Sequence, residues 1–184
     1  MLVVEIDCYK EKFYVSVWLN RGSLGWFRNM SASSPLDEWR FLIGTWKGKT
    51  EGSQFGVEGT IEGVVIFSCE PSALFIMGTG ENRCEGKLLH KSISILFYDN
   101  VDKKFRRKTI FSYGFVDNEV ECARTENEIK FDVTHEPFQK QYEGTCWRSF
   151  MRKISDTKVA MGLEIAREGQ EFKRFGESII EKVK

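Results

Sequence analysis

From residue 54 onward the chain is governed by period two: apolar and polar residues alternate in β-rich segments, each closed by a turn signal. Those signals are Glu70-Pro71-Ser72, Gly80-Glu81-Asn82, Asp99-Asn100, Asp117-Asn118, Glu126-Asn127, Ser155-Asp156 and Glu168-Gly169. Their short polar side chains bond their own backbone, and glycine and proline supply the dihedrals a reversal needs. Between them the alternation predicts strands over 44–51, 56–68, 73–79, 87–98, 103–113, 115–124, 128–135, 142–154, 157–167 and 171–183. That spacing is expected of an all-β barrel or sandwich. Gly48, Gly56, Gly59 and Gly63 fall in the first two of these strands and Gly52 at the end of the first, where they permit strong bending and favour closure into a barrel.

One helical signal precedes the series, Ser34-Pro35-Leu36-Asp37-Glu38-Trp39-Arg40-Phe41-Leu42. Ser34 is placed to accept from first-turn N–H groups, Pro35 has no N–H to lose, and Asp37 and Glu38 answer the positive end of the helix. Gly44 ends it. Residues 1–29 stand apart from the series. Leu2, Val4 and Ile6 alternate, as do Phe13, Val15, Val17 and Leu19, with Asp7 to Lys12 as the connection. The reading is a β-hairpin extension over 1–29, followed by a β-barrel domain over 30–184.

Composition narrows the function classes. The 27 Lys and Arg balance the 27 Asp and Glu, so no net charge draws the chain to nucleic acid or an anionic membrane. The five cysteines, Cys8, Cys69, Cys84, Cys122 and Cys146, form no C-x-x-C pair and read as reduced thiols of a cytoplasmic protein. The apolar run at the start is short and contains Glu5 and Asp7, so neither a signal peptide nor membrane insertion is expected. No G-x-S-x-G, H-E-x-x-H, Walker loop or G-x-G-x-x-G occurs, and alternation places Glu58, Glu62, Lys130, Asp132 and Glu164 on solvent faces. With no general acid/base pair, no catalytic residue and no metal site in view, the reading weighs against an enzyme.

The stretch "FLIGTWKGKTEG" at 41–52, with its leucine-bearing turn running into Gly44-Thr45-Trp46-Lys47-Gly48, resembles the opening of the nitrobindin-type and related fatty-acid-binding-like families, and its Gly-x-Trp resembles that of the calycins. Over residues 36–184 the resemblance implies an antiparallel up-and-down barrel of about ten strands, lipocalin-like, with one short helix before it. It implies that Trp46 lies across the closed end, its flanking glycines leaving room for the indole. As in many calycins an arginine is expected on that indole, and Arg174 is the candidate. Nitrobindins hold haem through a histidine near the C-terminus. The matching "KRFGESIIEKVK" has none, Phe175 stands at the nearest equivalent position, and no cofactor is therefore expected. His90 and His135 alone keep haem, with its peroxynitrite chemistry, open as an alternative.

A barrel of about ten strands encloses more than side chains readily fill, which suggests a ligand site. Alternation groups Val57, Ile61, Val65 and Phe67; Ala73, Phe75, Met77 and Thr79; Ile93, Ile95 and Phe97; and Val159, Met161, Leu163 and Ile165 as the inner faces. In "KKFRRKTIFSYG" one face carries Phe105, Arg107, Thr109, Phe111 and Tyr113. A guanidinium on an inward face requires an anion or a hydrogen-bonding network to answer it, and a ligand carboxylate would do so. His135 ends an apolar face with Ile129, Phe131 and Val133. In "GTCWRSFMRKI" either the Arg148 face or the Trp147 face points inward. The expected ligand set is Phe75, Met77, Phe105, Arg107, Thr109, Phe111, Tyr113, His135 and Arg148. The expected function is a carrier or sensor for a small hydrophobic or amphiphilic molecule with a polar or anionic head, with a haem protein or a ligand-free interaction module as alternatives.

Overall fold

The computed structural model describes residues 3–9, 12–18, 34–54, 57–69, 74–137 and 143–183. The chain divides into two compact units, 1–33 and 34–184. In the first, β1 (Val3–Tyr9) and β2 (Lys12–Trp18) form an antiparallel pair. Pairing runs from Val3 opposite Trp18 to Tyr9 opposite Lys12, so Asp7, Cys8 and Tyr9 belong to the strand and not to the connection the sequence suggested. Leu2 and Leu19 lie outside the described residues.

The second unit opens on a 3₁₀ helix, Pro35–Leu42, started as the sequence predicts. Ser34 Oγ accepts from the Leu36 N–H, and the Ser34 N–H donates to Asp37 Oδ2 at 2.8 Å, a reciprocal cap. Gly44, at φ 126°, turns the chain out of the helix in a conformation side chains rarely adopt. Ten strands follow: β3 (Gly44–Gln54), β4 (Val57–Cys69), β5 (Phe75–Cys84), β6 (Lys87–Asp99), β7 (Lys104–Phe111), β8 (Val116–Arg124), β9 (Glu128–Glu136), β10 (Thr145–Ser155), β11 (Lys158–Arg167) and β12 (Lys173–Lys182). Each pairs antiparallel with the next, and β12 returns to β3, closing the barrel. No helix among the described residues is long and apolar enough to cross a membrane.

Two turn signals prove to be strand. Gly80-Glu81-Asn82 continues β5, and Asp117-Asn118 lies inside β8; the reversals fall at Glu85-Gly86 and at 112–115.

Register settles which side chains face inward, because residues directly opposite share a face. Trp46 lies opposite Val65, and Phe67 opposite Gly78. Leu96 faces Arg107, Arg107 faces Glu119, Glu119 faces Val133, Val133 faces Trp147, and Trp147 faces Ile165. The helix places Leu36, Trp39 and Leu42 in one core with Trp46, Phe67, Ile76, Leu96, Phe105, Ile129, Phe131, Met151 and Val159. This layer seals the helix end. Trp46 is fully buried and its Nε1–H donates to the Leu42 carbonyl.

The same register corrects three expectations. Phe75 and Met77 pair with Phe97 and Ile95 on the outer face, while Ile76, Gly78 and Gly80 point inward. The reason is steric: a Cβ at Gly78 would come within 2.9 Å of the Phe67 ring, so Phe67 fills what Gly78 leaves open. Arg148 also faces outward, bonded to Asp132 and lying 3.8 Å from the Phe172 ring centre. Arg174 does not reach Trp46. It lies 3.8 Å over Phe150 on the outside, and the cation beside the Trp46 indole is Lys182, at 5.4 Å, whose Nζ also donates to the Phe41 carbonyl.

Candidate functional site

Burial changes sharply along the barrel axis. Phe105, Ile129, Phe131, Met151 and Val159 at the helix end are almost wholly buried. Further along the inner face Thr109, Val133, Trp147, Met161 and Leu163 remain partly accessible, although Ser149, between Met151 and Trp147, is buried. The facing wall combines Gly63, Gly80, Ser92 and Ser94 with Val65 and Asn82, and the Asn82 side chain lies over Gly63. Solvent therefore reaches part of the inner face away from the helix, while Ile61, Cys84 and His90, also inward on that side, are buried.

On the inner face sits a polar cluster drawn from three strands. Arg107 of β7 donates from Nε and Nη2 to the two carboxylate oxygens of Glu119 on β8, both at 2.5 Å. Nη2 also donates to Ser149 Oγ of β10 at 2.9 Å. Ser149 in turn donates to Glu119 Oε1, and Thr109 Oγ1 donates to Oε2 at 3.3 Å. Both charges are withdrawn from water, the side chains being 12% and 3% exposed. Burial opposes the charged guanidinium, yet the charge and hydrogen bonds of Glu119, with a contribution from Asp117, hold Arg107 above its ordinary pKa. The guanidinium also lies 5.0 Å from the Phe131 ring centre. Its Nη1 has no acceptor among the described residues.

Above the cluster the lumen turns aromatic. Phe111 and Tyr113 stack at 5.2 Å, and His90 packs edge-on to both. Across from them His135 Nδ1 meets Asp117 Oδ1 at 2.6 Å and its ring packs edge-on to Trp147. Trp147 packs in the same manner on Phe175. Burial depresses the His90 pKa below its ordinary 6.5. The unfolded chain takes that proton near pH 6.5 while the folded chain resists it, so the stability His90 contributes is complete above 6.5 and is lost as pH falls through the depressed value. The melting temperature should accordingly fall between about pH 7 and about pH 5, with a shallower fall in His90→Phe; equal slopes would show that His90 titrates freely.

The structure thus brings together Arg107, Thr109, Phe111, Tyr113 and His135 of the expected set. It puts Phe105 in the sealing layer below, and Phe75, Met77 and Arg148 outside. Sequence reasoning missed Glu119 and Ser149. Ser149 was one of two alternatives for its strand, but Glu119 was hidden by reading Asp117-Asn118 as a turn. With the reversal placed at Tyr113-Gly114, counting back from Ile110 opposite Val116 puts Glu119 across from Arg107. Among the described residues no group of His, Cys, Asp and Glu is arranged to hold a metal ion.

No protein-family model matches the chain, and no curated protein matches it. Among solved structures, Rv2717c from M. tuberculosis is similar with a TM-score of 0.59 at 18% identity, over 83% of this chain and 100% of that one. The structure of EF1p2_mFAP2b bound to DFHBI aligns at a TM-score of 0.33 and 11% identity, over 79% of this chain and 97% of that one. With the closed sequential topology, the first of these shows the fold alone: a ten-stranded antiparallel up-and-down β-barrel.

Proposed function

We propose that this barrel is a carrier or sensor for a small, largely apolar molecule bearing a hydrogen-bond-accepting head. The observation that carries the reading is Arg107: it stands on the inner face of the barrel, is fixed by Glu119 and Ser149, and keeps Nη1 without an acceptor among the described residues. A ligand carbonyl would meet that group, while Phe111, Val133, Trp147 and Leu163 would contact the apolar body. Since Glu119 already neutralises the arginine, an anionic head would leave an excess negative charge in a desolvated site. A neutral polar head suits the cluster better than the carboxylate that Arg107 alone suggested.

A resident haem, the nitrobindin-like alternative, has no ligand at the position the resemblance implies. Phe175 offers no donor atom and its ring packs on Trp147. The residues there do not fit the group.

The test is a thermal-shift series with a medium-chain primary amide, the matching acid and the matching alkane. The amide should raise the melting temperature most by mass action. In the double variant Arg107→Met/Glu119→Leu the amide should lose its advantage over the alkane. An acid that outperforms the amide on the unaltered protein, or an advantage that survives in the double variant, would place the head elsewhere.

A further inference from the structure

We propose that the seam between β3 and β12 is a lateral passage by which a ligand enters and leaves the lumen, an inference that rests on the binding reading above. β3 pairs with β4 along its whole length, from Gly44 opposite Phe67 to Gln54 opposite Val57. With β12 it pairs at three positions only, Trp46 with Lys182, Lys47 with Glu181 and Gly48 with Ile180. β12 in turn stays with β11 as far as Lys173 opposite Ile165. Beyond Gly48, residues 49–54 and 173–179 thus face each other across the wall with no ladder between them.

Among the described side chains none bridges that stretch either. Lys49 is bound to Glu62 and Glu51 to Thr60, both on β4, while Glu177 is bound to Arg152 and Arg174. Among the described residues no hydrogen bond or ion pair crosses the seam. The inward positions along its two lips include the small residues Thr50 and Gly52 on β3 and Gly176 and Ser178 on β12, with Phe175, at the bulge, packed on Trp147. The glycines mark where contact ends. A Cβ at Gly48 would meet the Ile179 carbonyl oxygen at 2.7 Å, whereas one at Gly52 or at Gly176 meets nothing within 4 Å. A register shift in the β11–β12 ladder, between Leu163 and Glu164, accompanies the divergence, since a bulge bends its strand away from the regular path.

Two further features favour passage here over the barrel mouth. The mouth carries the stacked Phe111 and Tyr113, with His90 edge-on to both, and these would have to part. The lips would have to break no ladder bond, so widening them disrupts little. Where the seam closes, a groove of about 580 Å³ lies on the outer surface, lined by Lys47, Lys49, Glu62, Val64, Ile179 and Glu181. Its apolar side chains set among lysines offer an amphiphile a first contact.

Stopped-flow fluorescence with the neutral, carbonyl-bearing dye 6-propionyl-2-(dimethylamino)naphthalene on the full chain tests the passage. Gly52→Trp and Gly176→Trp each put an indole into one lip, at positions with open space and without positive φ, and thermal melting confirms that at least one is folded. The expected result is that association and dissociation of the dye both slow, by about tenfold or more, with the equilibrium constant little changed, while Gly176→Ala leaves both rates alone. Unaltered rates in a folded tryptophan variant, with the dye still displaced by the medium-chain amide, would overturn the passage and leave the binding reading standing. Dye that the amide does not displace, and whose binding ignores Arg107→Met/Glu119→Leu, would defeat the binding reading and the passage with it.

Discussion

Arg107→Met should lower the unfolding free energy by about 3–5 kcal/mol, the usual effect of removing one partner from a buried ion pair. The loss arises less from the arginine's own contacts than from what remains. Glu119, with a side chain 3% exposed, would keep only the Ser149 and Thr109 hydroxyls to answer its charge. Replacing both partners removes the uncompensated charge, so Arg107→Met/Glu119→Leu should recover most of the loss and could equal the unaltered protein. Denaturant unfolding measures this directly: the midpoint should fall in the single variant and return in the double, with the slope unchanged. A single variant as stable as the unaltered protein would mean that water reaches Glu119 and that the floor of the lumen is not desolvated.

How far the sequence specifies this molecule depends on how strong its local signals are. Closure into ten antiparallel strands was legible, because period two and turn chemistry are short-range properties, and the Ser34 cap was legible for the same reason. Facing was legible only where one face is clearly apolar. On β11, Val159, Met161, Leu163 and Ile165 sit inward as alternation suggests. On β5, apolar residues populate both faces, and the inward set is Ile76 followed by glycines, with Phe67 taking the volume at Gly78 and Ser92 lying against Gly80. Composition favoured Phe75 and Met77; packing reversed it. The outward stacking of Arg174 on Phe150, with Gly162 opposite leaving space for that ring, was likewise beyond a reading that assigns each strand separately. The Arg107 cluster lies between these cases. Its arginine was visible as a charge on an aromatic face, but its carboxylate depended on a register that one misplaced turn conceals.

Trp46→Ala should cost about 3–5 kcal/mol, and the argument is about closure of the barrel end as much as lost area. The indole is fully buried between the helix and the floor, where Leu42, Phe67 and Ile180 belong to the same core. Truncation would remove most of that volume at a place where glycines on either side, Gly44 and Gly48, have no side chains with which to collapse into the gap. It would also leave the Leu42 carbonyl, at the end of the helix, without the Nε1–H it now accepts from. Trp46→Phe separates the two contributions: it keeps much of the ring in place, so its cost should be about 1–3 kcal/mol, made up of the orphaned carbonyl and a smaller void. Lys182 supplies a further check. Its Nζ lies 5.4 Å from the indole and donates to the Phe41 carbonyl, so Lys182→Met should weaken the floor less than either change at Trp46. The measurement is equilibrium unfolding of the three variants under one set of conditions. The expected order of loss is Trp46→Ala, then Trp46→Phe, then Lys182→Met; a Trp46→Ala protein within about 1 kcal/mol of the unaltered chain would show that the helix, not the tryptophan, seals this end.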